Sequence, residues 1–325
     1  MSERMQKQDF HPVYSKGDSI NDYVVEDVIF FGSNSEIYTV WSSKYNMTFV
    51  LKLIRIMNTD IQKAWNAFNS EIISLQRLDH DNVIRLYDHF HVSDMFFIVL
   101  EYCCGGTLAD AIVKNGCFPF HRFLQLSLQI VKAIMHSHEQ GVAHHDIKPQ
   151  NILFDGYGRV KLADFGISIF SEQTKSFNNR NYSPVFVAPE ILEKHDYSPF
   201  VADIYSLGVT LFVCATGRVA TSSTSRREIA DNLASFKEYH QGKTLINMII
   251  KMMNDDPNKR PNVQSLYQLL VNISIEECSM PLKSIKTKIS KRSNLLSSQI
   301  VQIHKMGSHS RFIFLKNSNQ KLQFI

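Results

Sequence analysis

The sequence predicts an α+β fold in two lobes, a small antiparallel β-rich half followed by a larger and mainly helical one. Three observations carry this. Residues 23–56 alternate in short β-rich pieces broken by turn residues, a single strongly amphipathic helical stripe follows them, and from about Pro189 to Asn272 the apolar spacing is helical throughout. At 325 residues the chain has the length for one large domain or two small ones packed together, with ample material for a core.

The first lobe is predicted over residues 23–101, after an extension at 1–22. Its pieces VVEDVIFFG, IYTVW and TFVLKLI, separated by Gly32 to Ser35 and by SSKYN, read as an antiparallel meander. Trp65, Phe68, Ile72, Leu75 and Leu78 then recur every three or four residues, the stripe of a helix after a candidate cap at Asp60, with Glu71 beside the stripe and facing inward. Apolar runs at Val83–Tyr87 and Phe96–Leu100 bring the sheet to about five strands. The CCGG run falls in a predicted hinge at 102–106, which opens the second lobe at 107–272. There Phe123, Leu126, Ile130 and Ile134 mark a long buried helix ending at Gly141, and NILF and RVKLA flank DGYG as a short hairpin.

Composition narrows the function classes. Hydrophobic residues at 44% and charged residues at 20% describe an ordinary globular protein, and the polar start MSERMQKQDF is no signal peptide. The most apolar run, Ile204 to Ala215, is interrupted by Ser206 and Gly208 and falls short of the ~20 residues of a membrane span. A cytoplasmic chain is expected, with nuclear access left open. Cys103, Cys104, Cys117, Cys214 and Cys278 form no C-x-x-C pair and read as reduced thiols. His136, His138, His144 and His145 lack a second ligand cluster at metal spacing. Nine of the 35 Lys and Arg, and none of the 31 Asp and Glu, lie beyond Cys278, so a mildly acidic domain precedes a basic tail at 273–325. That tail reads as a solvated segment. Its apolar RFIFLK and LQFI leave docking on the lobes open, and its charge leaves open weak contact with an anionic surface.

Moving a phosphoryl group takes cations against the phosphates, oxygen ligands for Mg²⁺, and a carboxylate beside the attacking hydroxyl. Lys52 on a strand, Glu71 on the next helix, Asp146, Lys148 and Asn151 in one loop, and Asp164 after the hairpin supply a candidate for every role. Taken singly, Lys52 and Glu71 also read as surface charges, and Asp146 and Asp164 as turn aspartates.

Together these residues resemble the eukaryotic protein kinase family, of the serine/threonine type, over about residues 23–272. FVLK at 49–52 is similar to the V-A-I-K strand and HHDIKPQN to the catalytic loop. DFG stands at 164–166, APE at 188–190, Asp203 in DIYSLG and Arg260 in DPNKRP. A lone DFG carries little weight, whereas six motifs in order carry much. The resemblance implies ATP and Mg²⁺ as cofactors and protein Ser/Thr hydroxyls as acceptors. It implies that Lys52, paired with Glu71, binds the α- and β-phosphates under the loop at Gly32, that Asp146 accepts the substrate proton, and that Asn151 and Asp164 hold Mg²⁺. Lys148 in a K-P-x-N loop, with Ser183, implies serine or threonine acceptors. Ile37, Val50 and Leu153 would sandwich the adenine, with Leu100 as gatekeeper and Glu101 to Cys103 offering hinge hydrogen bonds. Glu190 and Arg260 would form a buried structural pair, and His144 would pack on Phe165 in a stack with Leu75 and Leu86.

The chain departs from the family's pattern at several positions. Aligning Ile37 with the family's valine puts Phe30, Gly32 and Ser35 at the glycine positions. Phe30 there is expected to resist φ > 0 and to add bulk, weakening nucleotide binding. Val50 in place of alanine narrows the adenine slot. His145 replaces the arginine that in the family receives an activation-loop phosphate, which predicts activity little dependent on phosphorylation of Ser171, Thr174 or Ser176. Thr107 and Gln150 stand where many kinases of basic substrates carry acids, so no strong demand for arginine is expected. The competing class is a pseudokinase, a binding module with a worn glycine loop. A small-molecule kinase fits less well with the APE segment and Ser183.

Overall fold

The computed structural model describes residues 12–32, 35–55, 61–170, 183–193, 197–220 and 224–279. Among the described residues, the first lobe carries one six-stranded antiparallel sheet. Its strands are β1 (Ser19–Ile20), β2 (Tyr23–Phe31), β3 (Ser35–Ser42), β4 (Met47–Arg55), β5 (Leu86–Val92) and β6 (Met95–Glu101), in the order β1-β2-β3-β4-β6-β5. The meander is as the alternation predicts. Phe49, Leu51 and Leu53 of β4 are fully buried on one face, and Val50 and Lys52 lie on the other. Burial on the first face joins Tyr38, Val40, Phe97 and Val99 in a core of its own. Each such side chain contributes about 1.5–3 kcal/mol.

One sequence expectation is corrected here. The strand expected at Val83–Tyr87 forms later, at Leu86–Val92. Val83 and Ile84 instead leave the sheet and tie to the second lobe, Ile84 N–H donating to Leu162 O at 2.9 Å. Both are buried, so their apolar signal was that of a core contact rather than a strand. The two-residue strand β1 was not anticipated, being too short to show a period.

Helix α1 (Ile61–Arg77) packs Phe68, Ile72 and Leu75 against Ile54, Phe96 and Ile98 on the opposite sheet face. Glu71 is buried beside them, as its place next to the stripe predicts, while Trp65 stays 42% exposed. The proposed cap Asp60 lies outside the described residues.

The second lobe begins with α2 (Leu108–Asn115), capped by reciprocal bonds between Thr107 and Asp110. It continues with α3 (Phe120–Glu139), which stops before Gly141 at φ +72°. The short pairs β7 (Val142–Ala143) with β10 (Ile169–Phe170) and β8 (Ile152–Phe154) with β9 (Val160–Leu162) line the upper surface. Below them lie α4 (Pro189–Leu192), α5 (Pro199–Thr216), α6 (Arg226–Asn232), α7 (Gly242–Met252) and α8 (Val263–Ser279). The last helix runs past the boundary expected near residue 272. Helix α5 is long and apolar enough to cross a membrane by length and composition. Every residue from Ala202 to Ala215 is buried, and it forms the centre of the lobe.

Gly242 opens α7 against the carbonyl of Phe236, and a Cβ there would stand 1.6 Å from that oxygen. Gly242→Ala is therefore expected to cost about 3 kcal/mol and to lower the melting temperature by about 6–12 °C, measurable by calorimetry.

Candidate active site

The two lobes meet at an ion triad. Lys52 projects from β4, and its Nζ lies 2.7 Å from Glu71 Oε2 on α1 and 2.8 Å from Asp164 Oδ1 below. Burial would disfavour the ammonium, but the carboxylates of Asp164 and Glu71 outweigh it and raise the Lys52 pKa above its ordinary value. Lys52 in turn holds the Asp164 carboxyl down at about 2. Asp164 sits at φ +66°, a left-handed conformation that Asp tolerates better than most residues, and its side chain keeps 47% of its area exposed to the cleft.

A second cluster faces this one. Lys148 Nζ donates to Asp146 Oδ2 at 2.6 Å and to Ser183 Oγ at 3.0 Å. The Asn151 amide nitrogen donates to both the carbonyl and Oδ2 of Asp146, each at 2.9 Å, which turns its amide oxygen away from that carboxylate. The Pro149–Asn151 single-turn helix and the start of β8 hold these groups in one loop. Oxygen donors on Asn151 and Asp164 are the hard ligands that Mg²⁺ takes, so the residues present fit that ion.

The roof and floor are set by register. Ile37 pairs with Lys52, and Val50 with Leu100, so these four share the cleft face of the sheet. Leu100 is buried, and Val50, Cys103 and Leu153 are partly buried against the same core. The hinge is stitched to β8 by Gly105 N–H to Phe154 O and Phe154 N–H to Gly106 O, both 2.9 Å. Glu101 forms an ion pair with Lys161 of β9 at 2.8 Å, a tie between the lobes that no sequence signal indicated.

Phe30 departs from expectation in one respect. It pairs with Ile37 in the β2–β3 ladder with φ outside the left-handed range, so no glycine-like conformation is asked of it. A one-residue bulge between Val28 and Phe30 shifts the strand to this register. Its bulk remains, for a Cβ on Gly32 would lie 3.1 Å from the Phe30 ring. Residues 32–34 lie between the strands; Gly32 N–H donates to Ser35 O at 2.9 Å, and residues 33 and 34 lie outside the described residues.

Beneath the loop, buried Asp203 of α5 accepts the backbone N–H groups of His144 and His145, each at 2.8 Å, and bonds His138 Nε2 at 2.9 Å. His144 packs on Phe165 with ring centroids 4.5 Å apart, in the core that also holds Leu75, with Leu86 against it. His145, at φ +69°, stacks on Tyr197 and places Nε2 2.9 Å from its hydroxyl. Burial lowers the His145 pKa, which favours the neutral ring. Arg260 reaches Glu190 with two bonds of 2.6 and 2.7 Å.

Sequence reasoning also missed a hydroxyl ladder. Ser70 and Ser74 of α1 lie 3.1 and 2.6 Å from Ser168 Oγ, tying the helix that carries Glu71 to the residue just ahead of β10, after DFG. Their spacing of four residues on one helix face was the available signal.

The protein kinase domain profile matches residues 23–270. The chain belongs to the protein kinase domain family. It is 28% identical over 256 residues to CBL-interacting serine/threonine-protein kinase 3 of Arabidopsis thaliana, covering 77% of this chain and 58% of that one. It is 31% identical over 247 residues to serine/threonine-protein kinase PrkC of Bacillus subtilis, covering 73% and 38%. With CBL-interacting protein kinase 32 of Oryza sativa subsp. japonica it shares 39% identity over 150 residues, 45% of this chain and 34% of that one. The matched stretches thus cover between about a third and three fifths of the length of these relatives.

Proposed function

We propose that the chain is a serine/threonine protein kinase that transfers the γ-phosphoryl of Mg-ATP to protein hydroxyls. The observation that carries this reading is the juxtaposition of the Lys52–Glu71–Asp164 triad with the Asp146–Lys148–Asn151–Ser183 cluster across one cleft.

Bound Mg-ATP supplies the phosphoryl group and a divalent charge that offsets its oxygens. Lys52 and the Gly32 hairpin would hold the phosphates. Ile37, Val50, Leu100 and Leu153 would enclose the base, with Glu101 and Cys103 presenting backbone at the hinge. Asn151 and Asp164 would hold the metal. Asp146 orients the incoming hydroxyl and takes its proton. Lys148, already 2.6 Å from Asp146, steadies that carboxylate and stands beside the oxygens that become negative. Ser183 fixes the end of Lys148 and so the depth at which a Ser or Thr acceptor sits. The test is transfer of radiolabelled phosphate from ATP to a generic protein substrate, with Asp146→Asn and Lys52→Met as controls.

A pseudokinase reading draws on Phe30, whose ring lies against Gly32 on the cleft face. ATP binding without transfer by the natural chain would favour it.

His145, its pKa lowered by burial and its Nε2 bonded to the Tyr197 hydroxyl, offers no fixed charge to an activation-loop phosphate. Ser171, Thr174 and Ser176 lie outside the described residues. Phosphatase treatment is expected to leave the specific activity within about twofold, and a loss beyond about tenfold would refute the assignment of His145 as phosphate-independent.

A further inference from the structure

Residues ahead of the family-matched segment reach the back of the nucleotide site. The Val13 N–H donates to Glu36 Oε2 at 3.0 Å, and the Tyr14 N–H to the Tyr38 hydroxyl at 3.2 Å. The Tyr14 ring stands edge-on to Tyr38 at 6.0 Å and tilted on Phe97 of β6 at 6.2 Å. Closer to β1, the chain is pinned by Gly17 N–H to Val25 O at 2.8 Å and Val25 N–H to Asp18 O at 2.9 Å. Residues 13–18 therefore form a strap that runs from β2 over β3 to β6, on the sheet face opposite the cleft.

The strap grips a fully buried carboxylate. Glu36 pairs with Arg55 through Oε1, and its Oε2 accepts from the Tyr38 hydroxyl as well as from Val13. A buried carboxylate that loses a donor is driven toward water. Glu36 cannot move without β3, and the next residue on β3 is Ile37, on the cleft face beside Lys52. The same strand forms one side of the β2–β3 hairpin, where a single glycine, Gly32, stands among the described residues.

We propose that Val13 and Tyr14 are positioning residues of the nucleotide site, fixing β3 from behind and so setting the height of the β2–β3 hairpin above bound nucleotide. The proposal rests on the kinase reading above and adds a segment that the family match at 23–270 does not include.

The test uses the full chain with Val13→Pro, which removes the N–H, fixes φ near about −65° and keeps most of the side-chain bulk, Tyr14→Ala, and the conservative Tyr14→Phe. The first two are expected to raise KM for ATP about tenfold while kcat and KM for the protein substrate stay within about twofold, with Tyr14→Phe close to the natural chain. A strap that served stability alone would lower the melting temperature and leave KM for ATP unmoved, and that result would overturn the proposal. So would a joint worsening of kcat and both KM values. Should Tyr14→Ala not fold, Val13→Pro decides. If the natural chain transfers no phosphate, the kinase reading fails by itself, and the strap is then judged on the dissociation constant for Mg-ATP by titration. An unchanged constant, or no nucleotide binding by the natural chain, refutes it.

Discussion

Asp146→Asn is expected to lower phosphoryl transfer by about 10²- to 10⁴-fold, with the melting temperature nearly unchanged. The carboxylate is held by two donors, Lys148 at 2.6 Å and Asn151 at 2.9 Å, and lies 3.5 Å from the Ser183 hydroxyl. An asparagine keeps the shape but supplies no proton acceptor of useful basicity, and it removes the anion against which Lys148 is set. Lys52→Met is expected to fall by a similar factor for a different reason. It leaves Glu71, 1% exposed, without its counter-ion, and it frees Asp164 from the bond that orients it. The two variants separate in the apparent affinity for ATP, which should weaken for Lys52→Met and hold for Asp146→Asn. Retention of more than about a tenth of the natural rate by Asp146→Asn would remove Asp146 as the base.

Arg260→Ala should destabilise the second lobe by about 3–5 kcal/mol, a fall in melting temperature of about 10 °C or more. Its guanidinium makes a two-bond fork to Glu190, donates to Asn254 O at 2.8 Å and lies 5.0 Å over the Tyr205 ring. Removal strands a carboxylate in an apolar surrounding, which costs more than the pair's net attraction was worth. The double variant Glu190→Gln with Arg260→Met should therefore recover part of the loss, because no charge remains buried. A single variant that melted within about 2 °C of the natural chain would show that Glu190 finds another partner.

The residues of the cleft were legible because each lies at a fixed offset within a short motif, where chain geometry leaves little freedom. Lys148 and Asn151 stand two and five residues after Asp146, and the loop between them is too short to separate them. The α1 stripe was legible because one helix face repeats its contacts every turn. The strand at Leu86–Val92 was not, because LYDHFHV is mostly exposed and its pairing with β6 comes from backbone bonds that carry no side-chain signature.

By itself, the sequence determined the two-lobed α+β plan, the family and the set of polar groups available to the cleft, since these follow from local periodicity and from motif spacing. Tertiary structure alone decided how Phe30 registers against Ile37, that His145 is clasped by Tyr197, and that Val13 reaches Glu36 across 23 residues. Those contacts join parts of the chain far apart in sequence. Their energies depend on burial and on which donor arrives within hydrogen-bond distance, quantities that no local pattern of residues encodes.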